Sequence, residues 1–110
     1  MVSRNVIQKF VRQVVDQFQP VRVILFGSYA YGKPTRDSDV DIMLIMPYRG
    51  SSAKAATRVR LACPRTFAMD LIVRSPAEVR RRLKQGDSFL HEVTSRGVVL
   101  HESHDTRMGG

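Results

Sequence analysis

Val21-Arg-Val-Ile-Leu-Phe-Gly-Ser28, a gap of ten residues, and then Asp39-Val-Asp-Ile-Met-Leu-Ile-Met46 form the stretch that decides the fold. The first part is a short β-branched run that stops at Gly27. The second is an apolar run opened by two acids, so the pattern predicts strands over 21–26 and 40–46. Side chains two apart on a strand share a face, so Asp39 and Asp41 project together at the start of the second strand. Two carboxylates held so close repel. Unless one is protonated, the simplest relief is a shared hard cation, and such oxygen donors suit Mg²⁺ or Mn²⁺. Gly27 marks a place where the backbone turns sharply and lets another group approach. Ser28 can begin a short helical turn there, and its hydroxyl and the local amides suit phosphate oxygens.

Working outward, Phe67-Ala-Met-Asp-Leu-Ile-Val73 predicts a third strand, with Asp70 between Met69 and Leu71. A charge inside so apolar a strand is costly unless it is paired, metal-bound or at the strand's exposed margin. Upstream, Val6, Ile7, Phe10, Val11, Val14, Val15 and Phe18 recur at helical spacing from Ser3 to about Phe18, and Pro20 closes the pattern. A helix over 52–62 is expected between the second and third strands. Val59 and Leu61 give it a narrow apolar face, and Pro64 ends it. Ser75-Pro-Ala-Glu78 combines a capping serine, proline at the first helical position and a glutamate at the third, so a helix starts there and runs to about Gln85. On it Val79 and Leu83 face inward, while Arg80, Arg81 and Arg82 fan over the surface. Asp87 or Ser88 caps a further helix that Gly97 stops, and Val98-Val-Leu100 reads as a last edge strand. The order is a continuous α/β alternation: one domain over residues 1–102, then a frayed, flexible tail over 103–110.

Composition narrows the class. The 110 residues carry 18 Lys plus Arg against 10 Asp plus Glu, a formal charge of +8, with a single cysteine. A chain of this size builds one core without staples. No apolar run approaches the ~18–20 residues of a membrane span. Cys63 has no internal disulfide partner and the start of the chain lacks signal-peptide features, which favours a cytoplasmic location and a half-buried structural role for that thiol. Arginine supplies most of the positive charge, a field that favours an anionic partner without choosing among nucleotide, nucleic acid and acidic protein.

Other motifs fail on inspection. Gly27 to Lys33 matches seven positions of a phosphate-binding P-loop, but Pro34 stands where Ser or Thr would hold Mg²⁺ and blocks the helix that must follow. His91-Glu92 and His101-Glu102 each lack the second histidine, four residues on, of a zinc motif. Lys33 and Arg36 are read as solvated, and Tyr29 and Tyr31 as packing against a neighbouring helix.

The set of Gly27-Ser28, Asp39-x-Asp41 and the later Asp70 resembles the DNA polymerase β type nucleotidyltransferase superfamily, in its minimal single-domain branch. That resemblance covers nearly the whole chain, including the closing Phe89-Leu-His-Glu-Val-Thr-Ser-Arg-Gly-Val-Val-Leu100. It implies an α/β (α+β mixed) fold: a three-stranded mixed sheet core flanked by helices. It also implies that Asp39, Asp41 and Asp70 are both catalytic and metal-binding, with Mg²⁺ or Mn²⁺ as cofactor. Gly27 and Ser28 would bind the nucleotide, ATP, and Asp70 would help deprotonate the attacking hydroxyl. The short chain leaves no acceptor pocket, so the acceptor is expected on a partner in a homo- or hetero-oligomer. Within the minimal branch the resemblance implies the antitoxin of a toxin–antitoxin pair, transferring AMP to a tyrosine of a cognate HEPN toxin. Two other readings stay open: a non-catalytic module that silences its partner by occlusion, and a basic RNA-binding module.

Overall fold

The computed structural model describes residues 1–103; the tail expected over 103–110 otherwise lies outside the described residues. The elements are α1 (Arg4–Phe18), β1 (Arg22–Phe26), α2 (Ser28–Tyr31), β2 (Val40–Ile45), α3 (Ser52–Ala62), β3 (Met69–Arg74), α4 (Pro76–Lys84), α5 (Ser88–Arg96) and β4 (Val98–Glu102). The helix starts follow from side-chain caps. Ser3, Ser51, Ser75 and Asp87 accept the backbone N–H of Val6, Lys54, Glu78 and Leu90 respectively, each satisfying a donor the helix itself cannot.

The strands form one mixed sheet in the order β3-β2-β1-β4. β1 runs antiparallel to both β2 and β4, whereas β2 and β3 run parallel, so the chain crosses the sheet through α3 between them. The last strand expected from Val98-Val-Leu100 extends to Glu102 and makes the sheet four-stranded; beyond it the Ser103 N–H still donates to the Val21 carbonyl at 2.9 Å.

Both faces of the sheet are covered, which explains why β1 and β2 are apolar almost throughout. On one face Val23, Leu25, Val40, Ile42, Leu44, Leu71 and Val73 pack with α1 and α3. On the other Ile24, Phe26, Met43 and Ile45 pack with Val79 of α4 and with Leu90 and Val93 of α5. Each of these apolar side chains contributes roughly 1.5–3 kcal/mol by leaving water. Among the described residues no helix is long and apolar enough to cross a membrane.

Two expectations about α3 are overturned. Leu61 is 82% exposed, and Cys63 is not half-buried but fully enclosed. The reason is helical phase: Ala55, Val59 and Cys63 recur every four residues along the buried stripe, while Leu61 lies about 200° around the helix from Val59. Gln17 reaches across from α1 to the Ala62 carbonyl at 3.2 Å and to Cys63 Sγ at 3.8 Å. Burial pushes the Cys63 thiol up from its ordinary value.

The turn between α5 and β4 is tight against β1. A Cβ on Gly97 would meet the Val93 carbonyl, Ile24 Cγ2 and the Leu25 carbonyl, two of which are backbone and cannot swing away. Gly97→Ala is therefore expected to cost about 2 kcal/mol and to lower the midpoint of thermal unfolding by about 10 °C, read by circular dichroism.

Candidate active site

The local sequence puts three acids at one end of the sheet. β2 follows a tight polar turn in which the Ser38 hydroxyl accepts the Thr35 N–H at 2.9 Å and the Ser38 N–H returns to the Thr35 carbonyl at 3.1 Å. Val40 then donates to the Ala68 carbonyl at 3.0 Å, so Asp39 is held between an anchored turn and the first sheet hydrogen bond. Across the sheet, Phe26 is the register partner of Asp41, and Asp41 is the register partner of Asp70. Paired residues of neighbouring strands project to the same side, about 4.8 Å apart. Phe26, Asp41 and Asp70 thus make one row on the face that carries Met43, Ile45 and Ile72; α5 covers its Phe26 end, where the Phe89 ring packs, and Asp70 at the other end is exposed. Asp41 is half-buried, and Asp39 and Asp70 are exposed. Asp70 escapes the burial penalty because it is the second residue of its strand, at the solvent margin.

The charges feel one another. Burial first, then the Asp70 carboxylate, then that of Asp39, raise the Asp41 carboxyl above its ordinary value of 3.8. Among the described residues no three His, Cys, Asp or Glu side chains stand gathered as a ready-made metal cluster. The repulsion centres on Asp41, which lies within reach of the charges of both Asp70 and Asp39.

Gly27 closes the other side of Asp41. Its φ of 73° is a left-handed conformation that favours glycine, and a Cβ there would collide with the Asp41 carboxylate. The backbone then turns into α2, where the Ala30 and Tyr31 N–H groups return to the Gly27 carbonyl at 3.0 and 3.1 Å. The first-turn amides of Ser28 and Tyr29 have no acceptor within the helix. They lie beside the half-buried Ser28 side chain.

This short turn is pinned on both sides. The Tyr29 hydroxyl accepts the Val2 N–H at 3.2 Å at the entry to α1. The Tyr31 hydroxyl donates to Glu92 of α5 at 3.0 Å, with the Arg96 guanidinium 4.3 Å above the Tyr31 ring. Both tyrosines pack as the sequence suggests, and Lys33 and Arg36 are exposed. Sequence reasoning missed Glu92 and Phe89, which place α5 against this site. The only signal for Phe89 was an aromatic in a helix's first turn, off the Leu90/Val93 stripe. A separate groove of about 100 Å³, formed by Val6, Phe10, Pro64 and Phe67 among others, shares no residue with the site.

Comparison with known proteins follows the same lines. The profile of the family described as nucleotidyltransferase domain matches residues 7–102. A Methanocaldococcus jannaschii protein named as a candidate protein adenylyltransferase is 32% identical over 79 residues, 72% of this chain and 77% of that protein. The crystal structure of a candidate nucleotidyltransferase from Sulfolobus solfataricus aligns with a TM-score of 0.64 over 92% of this chain and 81% of its own, at 20% identity, a likeness of fold.

The electrostatics set the sign of a stability test. Because the folded protein raises the Asp41 pKa, ionising this group opposes folding once the pH exceeds 3.8. Asp41→Asn is therefore expected to raise the unfolding midpoint by a few degrees at pH 7. The gain should shrink as the pH is lowered toward 3.8, which calorimetric scans across that range would read.

Proposed function

The chain belongs to the nucleotidyltransferase domain family and is a nucleotidyltransferase; from that premise we propose that it moves AMP from ATP, with Mg²⁺, onto a hydroxyl of a partner protein, the α–β phosphoanhydride breaking to release pyrophosphate. We infer further that the acceptor is a tyrosine of a cognate HEPN-type toxin and that the chain acts as its antitoxin. The observation that carries the transfer reading is the row of acids itself: Asp41 and Asp70 paired in register, Asp39 alongside, and a glycine crowded against Asp41. A protein acceptor is supported by the name of the M. jannaschii relative.

The donor set fits a hard divalent cation. It offers carboxylate oxygens without nitrogen or sulfur, and its mutual repulsion is what a positive ion relieves. Bound cations supply charge neutralisation for the entering and leaving oxygens during displacement at the α-phosphate. Asp39 and Asp41 would hold the ion that accompanies the nucleotide, and Asp41 with Asp70 the one at the acceptor side. Asp70, which is exposed, would also take the proton of an incoming hydroxyl. Gly27 keeps the space beside Asp41 free of a side chain, and the Ser28 hydroxyl and first-turn amides face the terminal phosphates. Lys33 and Arg36, in the loop between the two halves of the site, add positive potential along the phosphate path.

Incubation of the protein with ATP, Mg²⁺ and the product of its neighbouring gene is expected to add the mass of one AMP to that product. Asp39→Asn or Asp41→Asn should lower the rate by about a hundredfold or more. Mg²⁺ or Mn²⁺ should raise the unfolding midpoint of the wild type, and raise it less in Asp41→Asn. Absence of mass gain with nucleotide demonstrably bound would overturn the reading. Full neutralisation of the partner by the double asparagine variant would replace it with simple occlusion.

A further inference from the structure

Phe89 is a large apolar side chain that the fold leaves 45% exposed, although it touches the core. Its ring meets that of Phe26 edge to face, with centroids 5.6 Å apart and planes at 84°. Phe26 is buried and is the register partner of Asp41. Phe89 therefore stands above the sheet one strand away from the acidic row, on the side opposite Asp70. Edge-to-face geometry leaves at least one face of the Phe89 ring clear of Phe26. The helix start that carries the ring is anchored. Asp87 caps its helix through the Leu90 N–H at 3.0 Å, Arg82 pairs with Asp87 at 3.6 Å, and the His91 ring contacts the Leu83 carbonyl at 3.2 Å. A solvent-facing aromatic fixed on a rigid turn is poorly explained by core packing, since Leu90 and Val93 already supply the buried stripe of α5.

We propose that Phe89 is the platform on which the nucleobase of the bound nucleotide stacks, with Phe26 as its buried support. The inference rests on the nucleotide reading of the site and adds the base subsite to it. With the phosphates directed to Ser28 and the acids, the sugar leads the base away from Asp41. The apolar surface adjoining Asp41 in the row is the Phe26–Phe89 pair. Stacking uses the π-face that every base has, so this platform favours purines over pyrimidines by ring area and does not by itself separate ATP from GTP.

The chain contains no tryptophan, so Phe89→Trp creates a single fluorescent reporter at the proposed contact. ATP is expected to quench this indole, whereas inorganic tripolyphosphate with Mg²⁺ should raise the unfolding midpoint without quenching. Phe89→Ala should bind ATP about tenfold to a hundredfold more weakly and bind tripolyphosphate as the wild type does, by calorimetry. If ATP and tripolyphosphate both bind but ATP neither quenches the indole nor loses affinity in Phe89→Ala, the platform is overturned while the nucleotide site stands. If neither ligand binds the wild type, the nucleotide reading fails and the platform with it. An equal loss of ATP and tripolyphosphate affinity in Phe89→Ala would assign the residue a structural role only and also overturn the proposal.

Discussion

The parallel pairing of β2 with β3 is the constraint on which the site depends. It sets Asp41 beside Asp70, and the rest of the fold holds it there. A slip of one residue would turn Asp70 toward α1 and α3 and carry Leu71 and Val73 out of the core they fill. The apolar alternation of β3 thus fixes the register, and through it the repulsion between two carboxylates. Hydrophobic burial on one face supplies the force that holds like charges together on the other. Because parallel strands need a crossover, α3 and its buried Ala55–Val59–Cys63 stripe are part of the same device, remote as they are from the acids.

Repulsion of this kind is stored only where something else in the structure outweighs it. Asp41 is the one charged residue in a strand otherwise buried, and its carboxyl is raised by burial before its neighbours act on it. Moving it one pair further into the sheet would enclose it completely. Moving it outward would lose Gly27, whose bare Cα abuts it. Its half-buried position is a compromise between the burial of the strand that carries it and the solvation that a carboxylate needs.

Much of this was legible in the sequence, and the reasons differ by element. β1 and β2 are apolar almost throughout because both faces are buried, so their runs are continuous and bounded by a glycine and an acid pair. Caps at Ser75 and Asp87 are local chemistry and could be read locally. The phase of α3 was not, since its amphipathic stripe consists of Ala, Val and Cys, and the most apolar residue, Leu61, points to solvent. The order of the strands and the pairing of Asp41 with Asp70 are long-range facts that periodicity does not contain. The carboxylates could be nominated from Asp39-x-Asp41 and Asp70 by resemblance. Their neighbours across α5 could not, because Tyr31 and Glu92 are 61 residues apart and nothing local links them.

α5 is consequently more than a lid on the apolar face. Its first turn carries Phe89 to Phe26, beside Asp41. Its middle and last turns carry Glu92 and Arg96 to Tyr31, at the end of the turn that begins with Ser28. One nine-residue helix thereby sets the spacing between the strand that bears the acids' neighbour and the turn that bears the serine. The height of that helix over β1 is limited by Gly97, where any side chain would strike Ile24 and two carbonyls. A geometry shared this way is rigid only as a unit. The polar ties at Tyr31 are partly exposed and individually weak, so the apolar contacts of Leu90 and Val93 with Ile24 and Met43 must fix the helix first. The aromatic and polar contacts then select its rotation. On this account the α5 face of the core, although it holds no acid, governs how the turn that bears Ser28 sits relative to Asp41.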